Sequence, residues 1–121
     1  MPQILIVDDD RSVRGFLKEL FEQKGYQVTE AENGLEGIRC FRDRLTDLVI
    51  VDLHMPHMNG FEMIQALQHA SPAVKIIAIS GAGATDLELA RQLGAQHTFQ
   101  KPFVLPDLLH MVQAVLGLSS A

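Results

Sequence analysis

Short apolar runs alternate with amphipathic segments along this chain, and this alternation restricts the possible folds more than any other feature. Runs at 4–7, 48–51 and 74–79 are rich in Val and Ile, as expected of strands that are buried on both faces. A weaker alternating run at 26–31 predicts an edge strand, and residues 97–100 predict a short fifth strand. Because helical patterns lie between these strands, the sequence favours a (βα)5 sandwich, a parallel sheet with helices on both faces.

Cap residues mark where several of the helices should begin and end. Asp10 is placed to cap the first helix and Gly25 to end it, while Asn33 opens the second helix. The segment Thr85 to Glu88 has the pattern of a capping box, so we expect the fourth helix to begin there, and Gly94 should end it. Apolar stripes at helical spacing complete the prediction of one helix after each strand.

The bulk composition predicts one globular domain spanning residues 1–121. Of the 121 residues, 47% are hydrophobic and 21% are charged, which is ordinary for a folded domain. A formal net charge of −5 leaves no basic stripe for nucleic acid and gives no support for binding to an anionic membrane. We therefore expect neither of these partners for this domain.

The cysteine content and hydropathy indicate a cytoplasmic location. Cys40 is the only cysteine, which excludes an internal disulfide and suits a reducing compartment. We interpret it as a small residue at the boundary of the core. No segment approaches the roughly 18 to 20 apolar residues of a membrane span, and no signal peptide is visible.

Charged side chains stand at the ends of three predicted strands. Asp8 and Asp9 follow the first strand, Asp52 follows the third, and Lys101 follows the fifth. The carboxyl ends of parallel strands open onto one edge of the sheet, so we expect these four side chains to meet in one pocket. Clustered acids repel each other unless a cation joins them, and carboxylate oxygens suit Mg²⁺. The pattern predicts a carboxylate-held Mg²⁺ beside a lysine, which suits phosphoryl chemistry.

Asp52 is the candidate for covalent chemistry within this cluster. An aspartate at a strand end is commonly a turn former or a helix cap, but the next helix is predicted to begin about eight residues later. A carboxylate held beside a divalent cation can attack phosphorus and form an acyl phosphate. Ser80 opens the small-residue loop Gly81 to Ala84, where the backbone could approach a phosphoryl group. For Asp10 we favour a helix-capping role alone.

In this order and at these spacings, the motifs resemble the receiver domain of two-component response regulators. The resemblance extends from Ile4 to about Leu116. It rests on the following residues: Asp8-Asp9, Asp52 with Met55-Pro56 and Gly60, Ser80, Gly94-Ala95, and Lys101-Pro102-Phe103. It implies a flavodoxin-like, doubly wound five-stranded parallel sheet of order 2-1-3-4-5.

The resemblance assigns metal ligands and a phosphoacceptor. It implies that Asp52 receives phosphate from the phosphohistidine of a sensor histidine kinase or phosphotransfer protein. It also implies that Asp9, Asp52 and the backbone carbonyl of His54 hold Mg²⁺, with Asp8 acting largely through a water molecule. Such a domain is not an enzyme for a separate metabolite, although it assists its own phosphorylation and dephosphorylation.

The resemblance further implies a switch that acts on a downstream partner. Lys101 would pair with the phosphoryl group, and its bond to Pro102 would be cis. Ser80 would move to hydrogen-bond the phosphoryl group and carry with it the loop at 81–85 and the fourth helix. The surface of the fourth helix, fifth strand and fifth helix would then change and regulate a target protein or an output domain.

One position departs from the usual family pattern, and two histidines invite another interpretation. An aromatic residue often stands three residues before the lysine, where this chain has Thr98. His54 and His57 could form a transition-metal pair, although two loop histidines without a scaffold make a weak site. His54 also lies two residues after Asp52, so we hypothesise that its side chain influences the lifetime of the phosphate.

Three further hypotheses remain open from the residues alone. The helix from Pro106 to Gly117 is more apolar than one buried face requires, which leaves room for a docking surface or a weak homodimer. A small-molecule phosphatase that uses an aspartyl phosphate would need a second carboxylate just after the nucleophile, where this chain has His54. An interaction module that keeps the fold but does not respond to phosphate is the other alternative.

Overall fold

The computed structural model describes residues 2–44, 46–55, 58–81 and 83–117. Within them, five strands and five helices alternate, in the chain order β1 Gln3–Val7, α1 Arg11–Gln23, β2 Gln27–Ala31, α2 Gly34–Asp43, β3 Leu48–Asp52, α3 Gly60–Ala70, β4 Lys75–Ser80, α4 Ala84–Leu93, β5 His97–Gln100 and α5 Leu105–Val115. All strand pairs are parallel, and the sheet order is β2-β1-β3-β4-β5. The predicted flavodoxin-like fold and its order 2-1-3-4-5 are confirmed, with β2 at one edge.

Two apolar clusters fill the spaces on either side of the sheet. Ile4 and Ile6 of β1 face the side covered by α1 and α5, where they pack in one cluster with Phe21. Leu5 and Val7, which alternate with them, face the side covered by α2, α3 and α4. Successive strand residues point to opposite faces, so each central strand supplies both clusters. This is why its sequence is apolar without interruption.

Most of the predicted helix boundaries are confirmed. The Asp10 carboxylate caps α1 by accepting hydrogen bonds from Ser12 N–H at 2.9 Å and Val13 N–H at 3.3 Å. The Asn33 side chain caps α2, and Gly94 ends α4 with φ +130°. Glycine reaches this left-handed backbone conformation without the steric cost that a Cβ would bring.

The capping box predicted at the start of α4 is wrong. The helix begins at Ala84, so Thr85 already lies inside the first turn. Gly83 occupies the cap position at φ +116°, a conformation in which other residues are strained, and it has no side chain with which to cap. A capping box does open α3, through Asn59 and Glu62, where none was predicted.

The structure also describes Cys40 and the Lys101–Pro102 peptide bond. Cys40 is partly buried and packs against the cluster beneath α2, α3 and α4, as expected of a boundary residue. The Lys101–Pro102 peptide bond is cis, as the resemblance implies. Within the part of the chain that the structure describes, no helix is long and apolar enough to cross a membrane.

Candidate functional site at the carboxyl edge of the sheet

Strand register brings the candidate side chains to one edge of the sheet. Val7 of β1 pairs with Val51 of β3, so the next residues, Asp8 and Asp52, lie at the same end of the two strands. Ser80 of β4 lies opposite Gln100 of β5, the residue before Lys101. Asp8, Asp52 and Ser80 are buried, with 3%, 7% and 0% of their surface exposed. The site is therefore a polar pocket at the end of an apolar sheet.

Lys101 joins the two buried carboxylates. Its Nζ lies 3.3 Å from Asp8 Oδ2 and 3.5 Å from Asp52 Oδ2. Its backbone N–H donates to the Ser80 carbonyl at 2.8 Å, which fixes the origin of the side chain next to β4. Because both contacts involve mostly buried acids, this ion pair is screened less than one on the open surface.

The electrostatics of the site favour a bound cation. Burial raises the pKa of the Asp8 carboxyl; a hydrogen bond from the Asp10 N–H opposes this shift, and the charge of Asp52 adds to it. For Lys101, burial alone would lower the pKa, but the Asp8 and Asp52 carboxylates outweigh it and raise the pKa of the ammonium group. One ammonium therefore stays charged between two acids that repel each other.

Asp9 completes a cluster of oxygen donors that fits Mg²⁺. Asp8, Asp9 and Asp52 each offer a carboxylate oxygen, and these oxygens lie within 4.8 Å of one another. Asp9 is exposed whereas the other two are buried, so the cluster is open to solvent on one side. Hard oxygen ligands with room for water molecules are the donor set that Mg²⁺ prefers.

The segment after β3 is held close to Asp52. The His54 N–H donates to Asp52 Oδ1 at 3.3 Å, and the Gly60 N–H donates to the Leu53 carbonyl at 3.0 Å. A Cβ built on Gly60 would stand 2.6 Å from the Asp52 carbonyl oxygen and 2.6 Å from Leu53 Cα. Only a residue without a side chain fits against this backbone. Pro56 and His57, and with them the hypothetical histidine pair, lie outside the described residues.

The His54 imidazole is directed toward α4. Its Nε2 lies 2.9 Å from Asp86 Oδ2, and its ring meets the edge of Phe61 at a centroid distance of 6.3 Å. In the sequence, Asp86 stands out only as part of the predicted capping box, and this contact was not predicted. Contact between a loop after β3 and the first turn of α4 depends on tertiary packing, for which the local pattern gives no signal.

Thr98 also contacts α4. Its Oγ1 accepts a long hydrogen bond of 3.5 Å from Arg91 Nη2. Phe99, the next residue, packs instead against the cluster beneath α1 and α5. Within the described part of the chain, the side chains of His54 and Thr98 therefore both make polar contacts with α4.

The fold and this geometry agree with a family comparison. Residues 4–113 match the model of the response regulator receiver domain. The chain belongs to the response regulator receiver domain family. Receiver domains are phosphorylation-activated switches of two-component systems and not classical enzymes, and the family binds Mg²⁺ at an acidic cluster of this kind.

Individual receiver proteins support the same placement. The chain is 33% identical to sporulation initiation phosphotransferase F of Bacillus subtilis, over 98% of this chain and 96% of that protein. It is 34% identical to the transcriptional regulatory protein CpxR of Escherichia coli, over 96% of this chain but only 50% of CpxR. Among solved receiver structures, TrrA of Thermotoga maritima in complex with Mg²⁺-BeF superposes with a TM-score of 0.87 at 31% identity, over 95% of this chain and 99% of TrrA.

Proposed function

We propose that this receiver domain, spanning residues 1–121, accepts a phosphoryl group on Asp52 and acts as a phosphorylation-controlled switch in the cytoplasm. The observation that carries the proposal is Lys101 Nζ, which lies within 3.5 Å of a carboxylate oxygen on both Asp8 and Asp52 at the carboxyl edge of the sheet. A cation fixed there can neutralise an incoming phosphoryl oxygen. In this proposal the domain transforms no separate metabolite.

Asp52 would act as the nucleophile. One of its carboxylate oxygens attacks the phosphorus of a phosphohistidine, the P–O bond of an acyl phosphate forms, and the P–N bond breaks. The bonding electron pair leaves with the imidazole nitrogen of the donor. Lys101 would pair with one phosphoryl oxygen, and Ser80 would hydrogen-bond another.

Asp9, Asp52 and the His54 carbonyl would hold Mg²⁺, with Asp8 acting largely through a water molecule. Bound there, the ion would neutralise phosphoryl charge and orient the transferring group. Incubation with acetyl phosphate and Mg²⁺ tests the proposal, because the mass of the intact protein should rise by that of one phosphoryl group. EDTA should prevent this uptake.

An apolar groove beside Lys101 is suited to the phosphodonor protein. It is lined by residues of α1 and of the segment after β5: Val13, Phe16, Leu17, Lys101, Pro102, Phe103 and Leu105. Phe16 is a large apolar side chain that is 53% exposed. Because Lys101 lines both the groove and the pocket of Asp52, an apolar helix seated here would hold a phosphohistidine beside the acceptor. We therefore propose that a sensor kinase or phosphotransfer protein binds in this groove.

Phe16→Ser should separate donor docking from phosphoryl chemistry. The phosphodonor for this test is the histidine-phosphorylated protein that labels the wild type fastest. Loss of an aromatic anchor commonly costs about 2 kcal/mol of binding free energy, so we expect kcat/KM for this donor to fall by at least about tenfold. Labelling by acetyl phosphate should not change. Leu89→Ser, which removes another exposed apolar side chain from α4, serves as the control. Equal losses with both donors would show that Phe16 is not a docking residue.

His54→Ala should shorten the lifetime of phosphorylated Asp52. The pair of His54 with Asp86 ties the segment after Asp52 to α4, and its loss would open the pocket to water. Because a hydrogen bond contributes about 0.5–1.5 kcal/mol, we expect the dephosphorylation half-life to fall by up to about tenfold. Asp86→Ala should reproduce the effect if it arises from the pair. Half-lives equal to that of the wild type in both variants would reject the hypothesis.

The output of the switch would involve α4, β5 and α5. Movement of Ser80 toward phosphate would disturb the loop before α4, and contacts of α4 with His54 and Thr98 would pass the change to neighbouring elements. We propose that this surface regulates a target protein or an output domain, and that it also allows a weak homodimer. No nucleic acid or membrane is required as a direct partner.

A further inference from the structure

Arg14 of α1 contacts the backbone that carries the acidic pair. Its Nη1 donates a hydrogen bond of 2.8 Å to the carbonyl oxygen of Asp8. Its Nε lies 3.5 Å from Glu30 Oε1 of β2, an ion-pair distance that is not a well-formed hydrogen bond. The Arg14 side chain is only 13% exposed. A mostly buried guanidinium thus spans α1, the strand end and β2 without reaching a carboxylate of the cluster.

The contact completes the fixation of Asp8, whose N–H, side chain and carbonyl are then all hydrogen-bonded. The Asp8 N–H donates to the Ala31 carbonyl at 3.1 Å, and Asp8 Oδ1 accepts from the Asp10 N–H at 2.8 Å. The Asp8 carbonyl belongs to the peptide that leads into Asp9, and Arg14 holds that carbonyl. The orientation of this peptide determines the position of the Asp9 Cα, from which the exposed Asp9 carboxylate extends.

We propose that Arg14 is a positioning residue for the cation site, because it fixes the Asp8–Asp9 peptide. The proposal rests on the proposed function, in which these acids and Asp52 hold Mg²⁺. Outer contacts that orient metal ligands commonly change metal affinity by about 10- to 100-fold when they are removed. Arginine suits this role because its planar group can hold a carbonyl and a carboxylate at once, which a lysine ammonium does less well.

Charge and position predict opposite results for the loss of Arg14. A cation near an acidic site repels Mg²⁺, so if charge alone mattered, removal of Arg14 would strengthen Mg²⁺ binding. If Arg14 positions the ligands, its removal should weaken binding although one repulsive charge is gone. The sign of the change therefore separates the two explanations.

The experiment is a Mg²⁺ titration of the unphosphorylated chain, followed by backbone amide shifts in NMR and by calorimetry. Arg14→Met keeps an apolar stem but removes the donor, and we expect the Kd for Mg²⁺ to rise about tenfold. Arg14→Lys should restore only part of the affinity. The matched control is Lys18→Met, which removes a charge one turn along α1 where the lysine pairs with Glu22 at 3.5 Å. This control should bind Mg²⁺ as the wild type does or slightly more tightly.

Unchanged or tighter Mg²⁺ binding by folded Arg14→Met would overturn the proposal. If Arg14→Met does not fold, the variants Arg14→Lys and Glu30→Gln replace it. Weaker Mg²⁺ binding by Arg14→Lys, with little change in Glu30→Gln, would support the positioning role. Wild-type Mg²⁺ affinity in both variants would reject that role. These measurements need no phosphate. If the wild type binds Mg²⁺ but takes up no phosphate, the proposed function is rejected. The effect of Arg14 on Mg²⁺ affinity can still be measured in that case. A wild type without Mg²⁺ binding would reject the role of Arg14.

Discussion

Replacement of Asp52 by asparagine should abolish phosphorylation by acetyl phosphate in the presence of Mg²⁺. The amide is a poor nucleophile, and it also removes one of the charges that would hold the metal. Asp52 is 7% exposed, and its Oδ2 lies 3.5 Å from Lys101 Nζ, where the ammonium group can hold an incoming phosphoryl oxygen. Asparagine has nearly the same shape, and the fold should be retained. Intact-protein mass spectrometry would detect the missing phosphoryl group.

The control for this experiment is Asp107→Asn. Asp107 is an exposed carboxylate in the first turn of α5, so its loss should leave phosphate uptake unchanged. Persistent labelling of the Asp52→Asn protein would assign the phosphoacceptor to another residue. A wild type that takes up no phosphate with Mg²⁺ would instead favour an interaction module that keeps the receiver fold without the switch.

Gly60→Ala should lower the free energy of unfolding by about 3 kcal/mol. The added Cβ would meet the Asp52 carbonyl oxygen and Leu53 Cα at 2.6 Å, and both are backbone atoms that no rotamer change can move away. The chain would have to shift at the residue proposed to accept phosphate. We therefore expect slower phosphate uptake together with the lower stability. Urea unfolding followed by circular dichroism measures the first effect, and acetyl phosphate labelling measures the second.

Gly15→Ala is the matched control, and it should change stability in the opposite direction. Gly15 lies inside α1, and the space around its Cβ position is open for 4 Å. Alanine should stabilise this helix by about 0.5–1 kcal/mol, because glycine loses more backbone entropy on folding. If both variants were more stable than the wild type, the prediction that a Cβ at position 60 destabilises the fold would be wrong. Equal phosphate uptake by Gly60→Ala and the wild type would contradict the effect on the site.

The local sequence pattern predicted the elements of the fold well because burial acts on each strand directly. The run at 48–51 is apolar at every position, and β3 is buried on both faces. Asp10 was identified as a cap because its acceptor serves N–H groups only two and three residues away. The start of α4 was predicted wrongly, since Thr85 and Glu88 fit a capping box by spacing alone while the backbone at Gly83 set the first turn.

The alternating fold and the set of residues at the carboxyl edge follow from the sequence pattern alone. Each of these residues follows a short buried strand, and parallel strands place such ends together. The folded chain adds contacts that the pattern does not predict: Lys101 lies between Asp8 and Asp52, Arg14 holds the Asp8 carbonyl, and His54 is directed toward α4. These contacts join residues from separate elements, and their side-chain directions depend on how the helices pack against the sheet. No local propensity encodes such directions, which is why the sequence predicts the residues of the site but not the contacts between them.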